Sequence, residues 1–334
     1  MWAGMLHLAF GNAVIGVLEG LLLAKFCKLK NGQCVGVMIL ANYFSSWGGG
    51  LFLAGTLASH LSLNLYNAWF WFWIMVGITF LLTLILEWPF VFFCLRRQPG
   101  RFKKSLGGNL LVNSISYVLL FGWYWMASGT GLYRNMHIVH PSQMAMPTNG
   151  VVFFISATNG DVYSQDLSQG KTEKVFALHT TNKDDRLLVL PAKSDAQHWD
   201  ILEYSNSITI CSNLSVTAAA CRRDTYGTPS HGTWFNFGEA PKLGAATNSD
   251  WTFQTGFWSV EGLRGRNAKT GVFMHFSLET PFVAWIARSA TQLPDDYVIF
   301  QLGEDQICLL QATTKKITLL NRGYGPVVIL KNNP

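Results

Sequence analysis

Apolar residues fill the first part of the chain in four long runs, at about 2–26, 35–57, 68–94 and 107–127. At about 1.5 Å per residue, each run is long enough to cross the roughly 30 Å hydrocarbon core of a bilayer. A soluble protein would have to bury four such helices in succession with almost no charge on them. The pattern therefore predicts a four-helix transmembrane bundle over residues 1–128.

The polar residues inside each run fall on one helical face, because they recur at spacings of three, four, seven or eight residues. The four stripes are Asn12, Gly16, Glu19 and Gly20; Asn42, Ser45, Ser46, Gly49 and Gly50; Thr79, Thr83 and Glu87; and Asn109, Asn113, Ser116 and Tyr117. An unsatisfied polar group that faces lipid is costly, so we expect all four stripes to face the inside of the bundle.

Four of these polar residues share a depth in the membrane. Two glutamates lie about seven residues before the end of the first and third runs, and two asparagines lie about as far after the start of the second and fourth. With alternating helix directions, all four fall roughly 10 Å from the same membrane face. The predicted intramembrane cluster is Glu19, Asn42, Glu87 and Asn113, with Ser45, Ser46, Ser116 and Tyr117 adjacent.

The cluster has two interpretations. Intramembrane carboxyls often mark a proton or cation pathway, which would make the protein a small ion- or proton-coupled carrier or channel component. Alternatively, hydrogen-bonded carboxyls and amides hold the four helices together. Two carboxyls in one dry cluster disfavour each other's ionisation, and four helices leave little room for a substrate. We favour the structural interpretation, with the carrier as the alternative.

Charge gives the bundle a direction. Up to Ser128 the chain has two acids, and its eight bases are Lys25, Lys28, Lys30, Arg96, Arg97, Arg101, Lys103 and Lys104. These bases lie in two short loops, whereas the loop at 59–67 has neither Lys nor Arg. By the positive-inside rule both basic loops are cytoplasmic. We therefore expect a multi-pass protein of bacterial inner-membrane type with extracytoplasmic N- and C-termini.

The second part of the chain changes to a β pattern. Residues 129–149 are rich in helix breakers and are predicted to be a linker, and residues 150–334 are predicted to form an extracytoplasmic all-β domain. Short β-branched runs such as "VVFFIS", "VYSQDL" and "RLLVL" alternate with Gly, Asn and Asp turns, which is typical of strands and hairpins.

Two stretches of this domain share a pattern. "DVYSQDLSQGKTEKVFAL" followed by "RLLVL" and "DQICLLQATTKKITLL" followed by "GPVVIL" each give two strands, a short loop and a third strand. The pattern resembles a blade of a β-propeller, in which the last blade often meets the first. A β-sandwich is the other architecture that fits this strand pattern.

Five aromatic residues in the middle of the β domain are candidates for a binding face. They are Trp234, Phe237, Trp251, Trp258 and Trp285. The alternative for each ring is that it fills the core, as large aromatic side chains usually do.

The charge balance of the β domain and the motifs it lacks argue against two classes of function, nucleic-acid binding and catalysis. The chain has 25 bases and 19 acids, so the part after Ser128 carries equal numbers of each and lacks the basic face that a nucleic-acid partner needs. We expect no enzyme and no cofactor, because phosphate loops, HExxH pairs and nucleophile elbows are missing. His137 and His140, near several methionines, are weak candidates for copper ligands. A disulfide between Cys211 and Cys221 is compatible with an oxidising compartment.

Together these patterns predict a membrane-anchored β domain that binds another membrane or envelope protein, as an accessory or sensor subunit of a membrane complex. Its expected partners are the lipid bilayer and that protein, with no nucleic acid.

Overall fold

The structure is a computed structural model that describes residues 2–53, 61–192, 198–215, 218–219 and 237–331. The chain divides into two compact units. Unit 1 comprises Met1–Ser128 together with Thr280–Val283, and unit 2 comprises Gly129–Glu279 together with Ala284–Pro334. Unit 1 is built mainly from long helices, and unit 2 from antiparallel strands.

Long helices begin the chain. The helices of unit 1 are α1 (Trp2–Leu6), which continues through a π-helical turn (His7–Gly11) into α2 (Asn12–Cys27), and then α3 (Asn31–Phe52), α4 (Ala68–Cys94) and α5 (Arg101–Ala127). Among the described residues, three helices are long and apolar enough to cross a membrane, at Gly4–Cys27, Ala68–Cys94 and Arg101–Ala127. For these three runs, the length and apolar character expected of membrane-spanning helices are confirmed. The fourth predicted run falls in α3, which has five glycines among its 22 residues and is not one of these three.

The helices of unit 1 pack through small residues and turn apolar side chains outward. A Cβ atom on Gly16 would lie 2.5 Å from the Cα of Ile39, and one on Gly20 would lie 2.5 Å from the Cα of Val35. Two glycines four residues apart therefore bring the backbones of α2 and α3 together. Large outward-facing side chains such as Phe10 and Val118 are more than two-thirds exposed, as expected for a surface that meets lipid.

Unit 2 begins with the short helix α6 (Gly131–Asn135) and is otherwise a β structure. Its strands are β1 (His137–Ile138), β2 (Gly150–Ser156), β3 (Val162–Asp166), β4 (Thr172–Phe176), β5 (Leu187–Pro191), β6 (His198–Glu203), β7 (Thr209–Ser215), β8 (Ala218–Ala219), β9 (Gly238–Glu239), β10 (Trp251–Thr255), β11 (Leu263–Asn267), β12 (Phe273–Phe276), β13 (Leu278–Glu279), β14 (Ala284–Trp285), β15 (Ala287–Leu293), β16 (Tyr297–Leu302), β17 (Gln306–Gln311) and β18 (Lys316–Leu330).

One large sheet organises unit 2. Its strands follow the order β15-β16-β17-β18-β2-β3-β4, and β1 and β8 pair with β18 off this path. It curls into an antiparallel half-barrel. Smaller sheets have the orders β12-β11-β10-β9, β5-β6-β7 and β13-β14.

The central strand β2 is buried on both faces. Val152 and Phe154 join a core inside the curled sheet with residues of β16 and β17. Val151 and Phe153 join a second core with residues of β5 and β6 on the opposite face. Two-sided burial explains why this strand reads as a continuous apolar run instead of an alternating one.

The β architecture differs from a propeller in the part of the chain that the structure describes. The two stretches with a shared pattern do meet, because β18 pairs with β2. They meet inside one continuous sheet, however, and not as separate blades. The second stretch was expected to break at "GYGP", but β18 runs for 15 residues through Gly325. A register shift between Tyr324 and Val327 absorbs the irregularity as a bulge.

Residues 129–149, expected to be a linker, pack onto the β structure. The backbone N–H of Gly129 donates to the carbonyl of Glu279, at 3.0 Å. The side chain of Leu132 is fully buried, and β1 pairs in parallel with the start of β18. These backbone contacts attach the segment to unit 2.

Candidate functional site

The polar stripes of unit 1 meet in a chain of hydrogen bonds that crosses α2, α3, α4 and α5. At one end Asn42 Nδ2 donates to Glu19 Oε2 at 2.5 Å, which joins α3 to α2. The Ser45 hydroxyl, one turn further along α3, lies 3.1 Å from the Asn42 carbonyl, which is a second acceptor for its single proton. Asn42 thus connects Glu19 to the rest of the cluster.

Glu87 lies at the centre of this chain. Its Oε1 accepts from Ser45 Oγ of α3 at 2.7 Å, and its Oε2 accepts from Asn113 Nδ2 of α5 at 3.1 Å. Glu87 is fully buried, and Glu19, Asn42, Ser45 and Asn113 are nearly so. One buried carboxyl therefore joins three helices.

Further polar contacts lie above and below the cluster. Ser46 Oγ donates to Asn12 Oδ1 at 2.8 Å, and the Thr83 and Tyr117 hydroxyls lie 3.0 Å apart. Asn109 Nδ2 donates to the carbonyl of Leu84 at 2.9 Å, in the turn that precedes Pro89. Pro89 lacks the N–H that would bond the carbonyl of Ile85, the residue after Leu84. The Ser116 hydroxyl donates to Asn113 of its own helix.

Two buried acceptors in the cluster have no hydrogen-bond partner within the described part of the chain. They are Glu19 Oε1 and Asn113 Oδ1. A buried acceptor without a donor is costly. Both carboxyl oxygens of Glu87 are thus paired, whereas Glu19 and Asn113 each keep one oxygen without a donor among the described residues.

Two interhelical contacts were not anticipated from the stripes. His7 Nδ1 lies 2.8 Å from the Tyr124 hydroxyl, which joins the π-helical turn to the end of α5. Trp88 Nε1 donates to Ser105 Oγ at 3.1 Å. The polar atoms of tyrosine and tryptophan need a partner when they are buried, and that need is the signal that points to these contacts.

The two histidines proposed as weak copper ligands have exposed side chains. His137 lies in β1, and His140 precedes a single 3-10 turn, Pro141–Gln143. The nearby Met136 and Met144 side chains are buried, and Met144 belongs to the core of the curled sheet. No group of three or more His, Cys, Asp or Glu that could hold a metal occurs among the described residues.

The aromatic candidates separate into two groups. Trp251 and Trp285 are buried; Trp251 stacks on Phe253, and Trp285 lies against Gly303. For these two rings the packing interpretation fits better than the surface one.

Trp258, in contrast, is 47% exposed, and its ring contacts Phe257. Phe257 in turn contacts Phe237, which is half-buried. These three rings form the aromatic patch of unit 2. The fifth candidate, Trp234, lies outside the described residues, as does Cys221 of the predicted disulfide.

The chain matches no protein-family model and no curated protein. The fold and the site nevertheless define a class: a helical part with three helices long and apolar enough to cross a membrane, followed by an antiparallel β domain. Any narrower functional statement depends on the residues described above.

Proposed function

We propose that the protein is a membrane-anchored binding module, in which the helices are the anchor and the β domain is the part that binds another membrane or envelope protein. The observation that carries this proposal is the pairing of Glu87. Both of its carboxyl oxygens are taken by side chains of neighbouring helices, Ser45 and Asn113. A carboxyl engaged in this way stabilises helix packing and has little capacity left for a transported ion.

The proposal treats α2, α3, α4 and α5 as four spans. Support for α3 as a span comes from its two faces. Its polar residues Asn42 and Ser45 bond to α2 and α4, whereas Leu40 and Leu51 are 64% and 73% exposed. A helix with inward polar groups and outward large apolar groups suits a lipid environment. The basic loops then lie on the cytoplasmic side and the β domain outside.

Sidedness is tested with reporters in bacterial cells. Alkaline phosphatase fused after Pro334 should be active, because the enzyme needs the oxidising exterior. A fluorescent protein fused after Gln98 should fluoresce and the phosphatase fused there should be inactive. The opposite pattern would place the β domain in the cytoplasm and reject the proposed compartment.

Binding is tested by photo-crosslinking in intact cells. A photoreactive amino acid at Trp258, in the aromatic patch, should give a discrete heavier species that contains a second membrane or envelope protein. The control is the same probe at Phe300, whose side chain is fully buried. Absence of any species specific to Trp258 would remove the aromatic patch as the contact surface.

The second candidate, a proton- or cation-coupled carrier, is favoured by the unsatisfied oxygens Glu19 Oε1 and Asn113 Oδ1. Buried carboxyls with vacant acceptors are suited to a transported proton. Purified protein in vesicles containing a pH-sensitive dye distinguishes the candidates. The carrier predicts proton flux that Glu19→Gln abolishes, whereas the anchor predicts no flux above protein-free vesicles.

A further inference from the structure

A cleft in unit 2 collects several charged side chains from distant parts of the sequence. It is shallow and open to solvent, and a water-sized group can occupy about 10 Å³ of it. Its lining consists of Lys183, Asp184, Asp185, Arg186, Arg288, Ser289, Gln301, Tyr324 and Gly325. A ligand could therefore place only one small group in the cleft, with the rest of the molecule outside it.

Two arginines dominate the cleft. Arg186 is 8% exposed, and its guanidinium lies 4.6 Å from the centre of the Tyr204 ring. Arg288 Nη2 donates to the carbonyl of Glu304 at 3.2 Å. Its Nε is buried and has no hydrogen-bond partner among the residues that the structure describes. A buried guanidinium N–H without a partner is costly, and this one belongs to a residue that lines the cleft.

The surroundings of both arginines disfavour their charged form. Burial lowers the pKa of Arg288 more than the nearby carboxylates of Asp184 and Glu304 raise it. Burial also lowers the pKa of Arg186; the charge of Arg288 adds to that effect, whereas Tyr204, Asp184 and Asp185 oppose it. A bound anion would offset the repulsion that Arg288 exerts on Arg186.

The acids of the cleft are only partly available as counterions. The Asp185 carboxylate accepts hydrogen bonds from Thr180, Asn182 and Ser205, so it serves to fix its own loop. Asp184 is exposed and lies at the rim. Asp184 is therefore the internal competitor that an incoming anion would displace.

The backbone around the cleft is irregular at two points. The pairing of β15 with β16 shifts register between Arg288 and Thr291, and Ser289 takes a left-handed φ of 56°. In β18, Gly325 has a φ of 52°, and a Cβ on it would lie 2.5 Å from the Cα of Arg186. β-bulges redirect side chains and are frequent beside functional sites. Left-handed backbone at a residue other than glycine, as at Ser289, is also concentrated at such sites.

From this convergence we infer that the cleft of unit 2 is a binding site for a small oxyanion, a phosphate or carboxylate group, held by Arg186 and Arg288. The planar donor edge of a guanidinium matches both groups. The inference deepens the proposed function, on which it rests, because it gives the β domain a ligand chemistry: the recognised molecule presents an exposed phosphate or carboxylate.

The test uses the full chain purified in mild detergent and isothermal titration calorimetry at pH 7. The probes are inorganic phosphate and acetate, each titrated against a sodium chloride background of equal ionic strength. We expect saturable binding of at least one probe. Arg288→Gln should weaken it at least tenfold, and Asp184→Asn should strengthen it.

The matched control is Arg264→Gln. Arg264 lies on β11 in another sheet, with a half-exposed side chain near Glu261. The Arg264→Gln protein should bind the probes as tightly as the wild type does. Arg288→Lys keeps the charge but loses the fork, so binding several-fold weaker than the wild type is expected if Arg288→Gln does not fold. Preference for phosphate or for acetate identifies the class of head group.

Two results would overturn the inference: no saturable binding of either probe by the wild type, or equal weakening by Arg288→Gln and Arg264→Gln. Neither depends on sidedness. If the reporters place the β domain outside but the probes do not bind, the cleft inference alone fails. If the probes bind but the reporters place the domain inside, the proposed compartment alone fails.

Discussion

The sharpest consequence of the bundle geometry concerns Glu87. Replacing it by leucine removes the acceptor of two interhelical hydrogen bonds, one from Ser45 and one from Asn113. Both partners keep a second contact, since Ser45 still donates to the carbonyl of Asn42 and Asn113 still donates to Asn109. The loss is therefore smaller than for two stranded donors.

Interhelical hydrogen bonds in membranes contribute about 0.6 kcal/mol on average and up to about 1.7 kcal/mol. Two such bonds give an expected loss of about 1–2 kcal/mol for Glu87→Leu. Glu87→Gln should be nearly neutral, because glutamine keeps the volume and one acceptor. Its amide N–H can take the place of Oε1 and donate to Ser45 Oγ, because the serine hydroxyl oxygen also accepts.

The assay is thermal or denaturant unfolding of the full chain in detergent, with Ile85→Leu as a control on the same helix. Ile85 is 66% exposed, so this change should leave stability unaltered. Equal stability of the leucine, glutamine and wild-type proteins would refute the role of Glu87 in helix packing. A stable Glu87→Gln protein that has lost proton flux would support the carrier instead.

Three further predictions address packing, domain boundaries and pH. Gly20→Ala should destabilise the bundle by about 1–3 kcal/mol, because the added methyl group forces α2 away from α3. Gly36→Ala is the control, since a Cβ there has open space around it and should leave stability unchanged. Unfolding in detergent measures both variants. Residues 129–331 alone should give a β-type circular dichroism spectrum and a higher melting temperature than residues 150–331, because the first segment packs onto β18. Burial tends to raise the pKa of Asp166, but a hydrogen bond from Lys331 and others bring it down to about 2. Ionised Asp166 thus stabilises the fold above about pH 4, and this contribution is lost as the pH falls towards 2. Asp166→Asn should flatten that part of the curve of stability against pH. An unchanged slope would contradict the role of Asp166.

Helical periodicity and depth in the membrane predicted which polar residues of the bundle lie together. The polar stripes and the rise per residue placed Glu19, Asn42, Glu87 and Asn113 at one level, and hydrogen bonds join these residues in the structure. The pairing itself was not readable from the stripes. Ser45 is the direct partner of Glu87 because of how α3 and α4 are rotated against each other, which packing decides and a helical period does not.

In the β domain too, the sequence predicted local strands but not how distant strands pair. Short apolar runs predicted the strands at 150–156, 162–166 and 187–191 with small boundary errors. They did not predict that Gly325 continues a strand, because a glycine-proline pair reads as a turn in isolation and the neighbouring strands accommodate it as a bulge.

The sequence by itself determined which segments are apolar, which faces are polar and where strands begin, because these properties are local and repeat along the chain. The tertiary structure alone decided that the two patterned stretches share one curled sheet and that Arg186 and Arg288, about a hundred residues apart, border one cleft. Strand pairing and sheet curvature depend on contacts between distant segments. No local pattern of residues encodes them.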